Sequence, residues 1–335
     1  MAEERQAEQP QGYGRRLAKH AARAALAVSI VLCLAISVCY TWRLDAWAAV
    51  TVFPIWLWPL AGIVLVAAAR RQMRRRHSLA VALAWCLVLA VFADHPFSLL
   101  RLRASGGRRT LRIVSLNCAG ISRAVEEVAA LRPDIVLLQE SPGREPLAAL
   151  ARELFGDDGQ VLSGVDTSMV ARGTIAALPL PDSAASHAVI ANVQLTDGTE
   201  MNVVSLRLEA PLVRIDLWSP ECWREQTANR MRRRRQLEAI FGAVPTWSTG
   251  IPLIVGGDFN APPGDAVFET LATSLHDAFA EAGRGWGNTI INAAPFLRID
   301  QIWLSPRLRA VDVYSQKTMH SDHRMVVCDI QIQTP

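Results

Sequence analysis

The chain has 335 residues, 51% of them hydrophobic, and its 35 Lys+Arg against 31 Asp+Glu give a formal net charge of +4, enough material for a large core. Residues 1–109 carry 15 basic and 5 acidic side chains, a net of +10, which leaves −6 for residues 110–335 and makes that part poorly suited to gripping long polynucleotides through their phosphates. Six scattered cysteines without a close pair imply neither a zinc site nor a disulfide framework.

Residues 1–23 form a basic tail with Arg15, Arg16, Lys19 and Arg23, expected on the cytoplasmic side. Three uncharged stretches follow, at about 24–42, 46–69 and 78–93. A membrane span needs about 20 apolar residues, so the first two meet the length and the third is short, and about three transmembrane helices are expected. The first is too long for a cleaved signal peptide and is soon followed by a second. Arg70, Arg71, Arg74, Arg75 and Arg76 mark the loop before the third span as cytoplasmic, so three crossings put the C-terminal part outside the cell membrane. Arg101, Arg103, Arg108, Arg109 and Arg112, just past the third span, pull the other way.

Residues 94–110, with Ser105-Gly106-Gly107, read as a linker, and from Leu111 the pattern changes. Short β-type runs at 111–116, 135–138, 188–195, 201–208, 252–255, 299–304 and 325–332 alternate with helical patterns at 125–131, 145–154, 225–241 and 266–282. Intermixed elements over this length indicate one α/β or α+β domain. Within it, five arginines crowd into six positions, Arg230 and Arg232 to Arg235. On a helix they point in several directions, as a solvated face or as a site for phosphates or lipid heads.

Polar residues suited to metal and phosphate chemistry recur at the strand ends. The run Ile254-Val255-Gly256-Gly257-Asp258-Phe259-Asn260 puts a carboxylate and an amide two residues apart, on one face of an extended chain. The same letters also suit a turn, given Pro262-Pro263-Gly264. Asn117 closes one run and Glu140 another; Asp300 lies inside a third, and Asp322-His323 precedes the last. An unpaired carboxylate in a strand is costly, and a histidine partner would resolve that. Asp300 is therefore expected to hold one nitrogen of His323 and to make the imidazole a general base.

With Gln139-Glu140, Arg298-Ile299-Asp300 and Ser321-Asp322-His323 in this order, residues 111–332 resemble the endonuclease/exonuclease/phosphatase superfamily of DNase I-like nucleases, inositol-phosphate phosphatases and sphingomyelinases. The resemblance implies an α+β fold, a four-layer αββα sandwich of two packed mixed β-sheets, and a Mg²⁺-dependent attack of water on a phosphoester, with Mn²⁺ as a substitute ion. It makes Glu140 the principal metal ligand, with Asn117 beside it and Asp322 contributing. His323 becomes the base or phosphate contact oriented by Asp300, and Asp258 with Asn260 positions water and stabilises the pentacovalent phosphorus. One position departs from the pattern: Arg207 stands where the family often has a catalytic histidine. Arginine binds phosphate through two donors but cannot transfer a proton, so Asp258 would carry more of that traffic. Trp286-Gly287-Asn288-Thr289 precedes Asp300, and Asn288 is either a substrate contact or a plain loop residue.

The expectation is a membrane-anchored, multi-pass, Mg²⁺-dependent phosphoesterase with its catalytic domain, residues 111–335, on the extracytoplasmic side. Its partners would be the lipid bilayer and a phospholipid, sphingolipid or small phosphorylated metabolite, with no obligate protein partner. A membrane-bound nuclease of the same mechanism is the alternative, with nucleic acid the less favoured substrate. A non-catalytic interaction module that keeps the fold is the second alternative.

Overall fold

The computed structural model describes residues 9–103, 110–212, 214–244 and 250–333. The chain divides into two compact units, Met1–Pro96 and Phe97–Pro335.

The first unit is helical: α1 (Gln9–Trp42), α2 (Ala48–Thr51), α3 (Leu57–Ala69) and α4 (Arg75–Phe92). Among the described residues two helices are long and apolar enough to cross a membrane, Tyr13–Trp42 with mean hydropathy 2.3 and Arg75–Phe92 with 1.5. The uninterrupted span expected over 46–69 is not formed. Pro54 has no N–H to give and disfavours helical backbone at Phe53, so the chain breaks between α2 and α3. Three of the helices are tied at one buried point. Trp85 Nε1 donates to Ser29 Oγ at 3.0 Å, and Ser29 Oγ donates to the Gly62 carbonyl at 3.0 Å. A Cβ at Gly62 would lie 2.0 Å from the Trp85 ring, so only glycine lets α3 pack this closely.

The second unit alternates strands and helices in the order β1 (Leu111–Asn117), α5 (Ser122–Glu126), β2 (Ile135–Gln139), α6 (Arg144–Phe155), β3 (Gly159–Ser163), β4 (Thr167–Ala177), α7 (Asp182–Ala185), β5 (Ala188–Leu195), β6 (Glu200–Arg207) and α8 (Pro220–Gly242). It continues with β7 (Leu253–Asp258), α9 (Glu269–Ala272), β8 (His276–Asp277), α10 (Ala278–Ala282), β9 (Asp300–Leu304), β10 (Leu308–Gln316) and β11 (Met325–Ile332). The 11 strands form one mixed sheet in the order β10-β11-β1-β2-β4-β5-β6-β7-β9-β8, with β3 on β4. Strand β4 joins its halves, pairing with β2 through Thr167–Ala171 and with β5 through Gly173–Ala177.

The sheet curls so that the two halves enclose one core. Ile113, Leu137 and Met169 from one half share a buried cluster with Val193, Val203, Ile254 and Ile302 from the other. The alternate residues face outward and are buried too. Val114, Leu116, Val136 and Leu138 pack on Val125, Leu147 and Leu150 of α5 and α6, while Val204, Leu206 and Val255 pack with Leu237 and Ile240 of α8. Strands buried on both faces read as continuous apolar runs, which is why 111–116 and 135–138 stand out in the sequence.

Several expectations are corrected. The helix expected over 266–282 is broken: α9 ends at Ala272, His276 and Asp277 pair with β9, and Asp277 caps α10 by accepting from Phe279 N at 2.9 Å. Strands β3, β4, β8 and β10 lie outside the expected runs. Part of the expected linker is fastened down, with a 3-10 turn at Pro96–Leu100 and Ser98 Oγ donating to Gly285 O at 2.9 Å; residues 104–109 lie outside the described residues.

The arginines of α8 are not a uniformly solvated face. Arg230 and Arg233 are buried in helical register with Leu237 and Ile240, whereas Arg232 is exposed and pairs with Glu209. Arg230 is paired with the equally buried Asp265 at 2.9 Å.

Candidate active site

Strands β1 and β2 run parallel and end together, with Asn117 opposite Gln139. The chain then turns sharply, and both Ala119 and Glu140 adopt positive φ, 49° and 42°. This aims Glu140 back beside Asn117, whose Nδ2 donates to Glu140 Oε1 at 3.1 Å. The same nitrogen donates to Asp258 Oδ2 at 3.0 Å, and the Asn117 oxygen accepts from Ala119 N at 3.0 Å. A buried amide thus ties the ends of β1 and β2 to the end of β7 in the other half of the sheet.

At that end, Gly257 has φ 143°, and a Cβ there would lie 1.9 Å from the Leu206 carbonyl. Glycine lets β7 pass this close and deliver Asp258 between Arg207 on β6 and Asp300 on β9, its partners in register. Asp258 Oδ1 accepts from Asn260 N at 2.9 Å, closing a turn in which Asn260 has φ 50°. Asn260 Nδ2 donates to Leu208 O at 2.8 Å, and the buried Arg233 guanidinium donates to the Asn260 carbonyl. The segment is both turn and site: turn chemistry sets the backbone and the site uses its side chains.

Asp300 is fully buried and accepts from or pairs with His323 through Oδ2 and Nδ1 at 2.9 Å, the partnership expected from the sequence. Its backbone N–H donates to Thr289 Oγ1 at 3.2 Å. His323 N donates to Ser321 Oγ at 3.0 Å, and Ser321 Oγ donates to Asn117 O at 2.7 Å, so the loop before β11 is pinned to β1. Ligating atoms of Asp258, Asp300 and His323 lie within 4.8 Å of one another, all three buried.

Burial and the neighbouring charge of Asp300 raise the Asp258 carboxyl from the ordinary carboxylate range to about 7, against the lowering effect of His323. For His323, burial opposes charging, but the charge and hydrogen bond of Asp300, with Asp258 and Asp322, outweigh it and lift the imidazole to about 10. Around neutral pH His323 is therefore a cation, a phosphate contact or acid rather than a free base. Asp258 titrates where a proton-transfer group works best. The raised His323 value also sets a sign for stability. The pair stabilises the fold fully below the ordinary histidine value of 6.5, and its contribution is lost as pH rises through about 10. The Tm gap between the wild type and His323→Gln is expected to be widest at low pH and to close above pH 10, as thermal melts across that range will show.

Arg207, half-buried at the end of β6, bridges two acids, Glu140 Oε1 at 2.7 Å and Asp166 Oδ2 at 3.0 Å. Asp166 lies between β3 and β4, where nothing in the local sequence distinguishes it from an ordinary turn aspartate. Thr289, from the loop ahead of Asp300, and Arg233, from the α8 arginines, reach the site through backbone atoms of Asp300 and Asn260 rather than as substrate or phosphate contacts. Two expected site residues stand apart. Asp322 is exposed and makes no hydrogen bond to Glu140 or Asn117, its carbonyl instead accepting from Asn292 N at 2.7 Å. Asn288 is half-buried one residue before Thr289. Arg207→Ala is expected to lower kcat/KM by about 10- to 100-fold, the loss of a charge-assisted hydrogen bond worth about 1.5–3 kcal/mol, and lysine should restore little of it. Steady-state kinetics of the two variants check this.

A sequence profile of the Endonuclease/Exonuclease/phosphatase family matches residues 114–323, more than half of the chain. The chain belongs to this family. The matched stretch takes in every residue described above from Asn117 to His323. Among solved structures of the family's fold, the endonuclease/exonuclease/phosphatase from Bacteroides vulgatus is 17% identical with TM-score 0.51 over 68% of this chain and 100% of that one. The family protein from Bacteroides thetaiotaomicron is 14% identical with TM-score 0.50 over 68% and 99%. TDP2 from D. rerio, complexed with a single-strand DNA product, is 18% identical with TM-score 0.50 over 67% and 100%. At such identities the likeness is one of fold. No curated protein matches the chain by sequence. Enzymes of the family generally use divalent metal ions and act on phosphoesters. The donors here suit such an ion: they are hard oxygens, Asp300 Oδ1 is buried without a partner, and burial with the charge of Asp300 raises the Asp258 carboxyl in a way a cation would offset.

Proposed function

We propose that the protein is a membrane-anchored, Mg²⁺-dependent phosphoesterase acting on a phospholipid, a sphingolipid or a small phosphorylated metabolite. The observation that carries this is the convergence of Asp258 with the Asp300–His323 pair beside Asn117 and Glu140, at the strand ends of both halves of the sheet. Glu140, with Asn117 beside it, would hold the ion, which supplies positive charge to the phosphate oxygens when bound. Asp258 takes a proton from the attacking water. The Asn260 side chain borders the reacting centre, its backbone fixed by Arg233. His323, held by Asp300, contacts the phosphate as a cation, and Arg207, held by Glu140 and Asp166, adds positive charge beside it. The four-layer αββα arrangement is supported by the three buried clusters, one between the halves of the sheet and one beneath the helices on each outer face.

Three crossings remain our reading of the anchor despite the break at Pro54. Irregular backbone near the bilayer is best satisfied within the protein, and Tyr40 Oη donates to the Phe53 carbonyl at the break, at 2.5 Å. Trp42, Trp47, Trp56 and Trp58 crowd the α1–α3 turn as an interfacial aromatic belt would, and the arginines 70–76 mark the other end of α3. That topology leaves the catalytic domain outside the cytoplasm. Protease treatment of intact cells should therefore digest it; digestion only after lysis would reverse the placement.

Turnover by the full chain on a panel of phospholipids, sphingolipids, phosphorylated metabolites and polynucleotides tests the substrate. Cleavage of lipid or metabolite with little salt dependence is the expected result. Cleavage of polynucleotide alone, with affinity falling steeply as salt rises, would make the protein a nuclease.

A further inference from the structure

Residues 97 to 102 invert the ordinary logic of a water-facing segment. Their polar side chains hold the segment to the domain. Ser98 is buried and exchanges two hydrogen bonds with Gly285, Oγ to O at 2.9 Å and Gly285 N to Ser98 O at 2.8 Å. Arg101 Nη1 donates to Glu281 O at 2.8 Å at the end of α10 and also reaches the carbonyls of Ala280 and Gly283. The apolar side chains are the ones turned outward: Phe97 is 73% exposed, Leu99 55%, Leu100 78% and Leu102 90%. Trp286, directly after Gly285, adds an indole that is 48% exposed. Scattered surface leucines need no explanation, but an apolar group this dense, fastened by its own polar residues, marks an interaction surface.

Two observations select its occupant. Four residues, 93 to 96, separate the end of α4 from Phe97, so at about 3.3–3.6 Å per residue the chain lets the patch begin no more than roughly 17–18 Å from that helix end. The segment also runs straight into the largely exposed Arg103, and Arg108 and Arg109 follow in sequence. Leucine, phenylalanine and tryptophan mixed with arginine is the composition of a surface lying in the headgroup region of a bilayer that carries anionic lipid.

We infer that residues 97–102 and Trp286 form an interfacial foot that rests the catalytic domain on the bilayer. This rests on the reading of α4 as a membrane helix. The foot bears on the site through one loop. From Gly285 and Trp286 the chain runs to Thr289, which holds Asp300, so the segment supporting the Asp300–His323 pair begins at the membrane surface.

The test uses the full chain in vesicles of phosphatidylcholine and phosphatidylglycerol, with p-benzoylphenylalanine placed singly at Leu83 of α4, at Leu100, at Leu102 or at the exposed Arg152 of α6. After irradiation, lipid adducts detected by mass are expected at Leu83, Leu100 and Leu102 and not at Arg152. Adducts at Leu83 without any at Leu100 or Leu102 would overturn the foot while leaving the anchor. Absence of adducts at Leu83 as well would overturn both. Chain-to-chain adducts at Leu100 and Leu102 in place of lipid would assign the patch to a second copy and overturn the proposal.

Discussion

His323→Ala is expected to lower kcat on a soluble phosphodiester by about 10²- to 10⁴-fold, the range over which a positioned proton-transfer or charge-stabilising side chain contributes. The expectation follows from geometry. His323 is held from two sides, by Asp300 through its ring and by Ser321 through its backbone, which fixes the imidazole in one pose. Alanine also strands Asp300, a fully buried carboxylate whose second oxygen already has no partner. A fall in activity must therefore be separated from a fall in folding. His323→Gln keeps a donor towards Asp300 and should melt closer to the wild type while remaining nearly as inactive as alanine. If His323→Gln kept kcat within about threefold of the wild type, the imidazole would have no part in the chemistry.

Asp265→Ala should destabilise the catalytic domain by about 3–5 kcal/mol, the loss measured when one partner of a buried ion pair is removed and the other charge stays buried. Arg230 and Asp265 have almost no solvent exposure and meet at 2.9 Å. Asp265 also caps the following turn by accepting from Val267 N at 2.9 Å, which adds about 1 kcal/mol to the loss. At about 2–4 °C per kcal/mol for a domain of this size, the combined loss should lower the midpoint by roughly 8–24 °C. The double replacement Arg230→Met with Asp265→Leu should recover most of the loss, since a matched apolar pair often equals a buried ion pair. The site should respond too. Arg233, one turn along α8, donates to the Asn260 carbonyl, so a disturbed helix loosens the Asp258–Asn260 turn. A melt of Asp265→Ala within 1 kcal/mol of the wild type would mean that Arg230 finds solvent or another acid.

The site residues at strand ends were legible because an apolar run that stops on Asn, Glu or Asp is a distinctive pattern, and two carboxylates near one histidine predict their own pairing. The α8 arginines also left a signal. Arg230 and Arg233 fall on the stripe of Leu237 and Ile240, so their burial followed from helical spacing, although their partners, Asp265 and the Asn260 carbonyl, did not. The Ala266–Ala282 stretch misled because its alanines and leucines suit a helix, while pairing with β9 claimed two residues in its middle. Asp166 was beyond reach for another reason. Its place beside Arg207 depends on β3 and β4 folding over the end of β2, where Ser141 N donates to Asp166 O at 3.1 Å, a contact between distant parts of the chain.

Mg²⁺-dependent hydrolysis of a chromogenic phosphodiester by the purified full chain, compared with Glu140→Gln and Asp258→Asn, decides whether the protein is a metal-dependent phosphoesterase. Turnover is expected to rise with Mg²⁺, to disappear with a chelator and to fall at least 100-fold in both variants. Turnover unaffected by the chelator, or a wild type as inert as its variants across phosphodiesters and phosphomonoesters, would contradict that assignment.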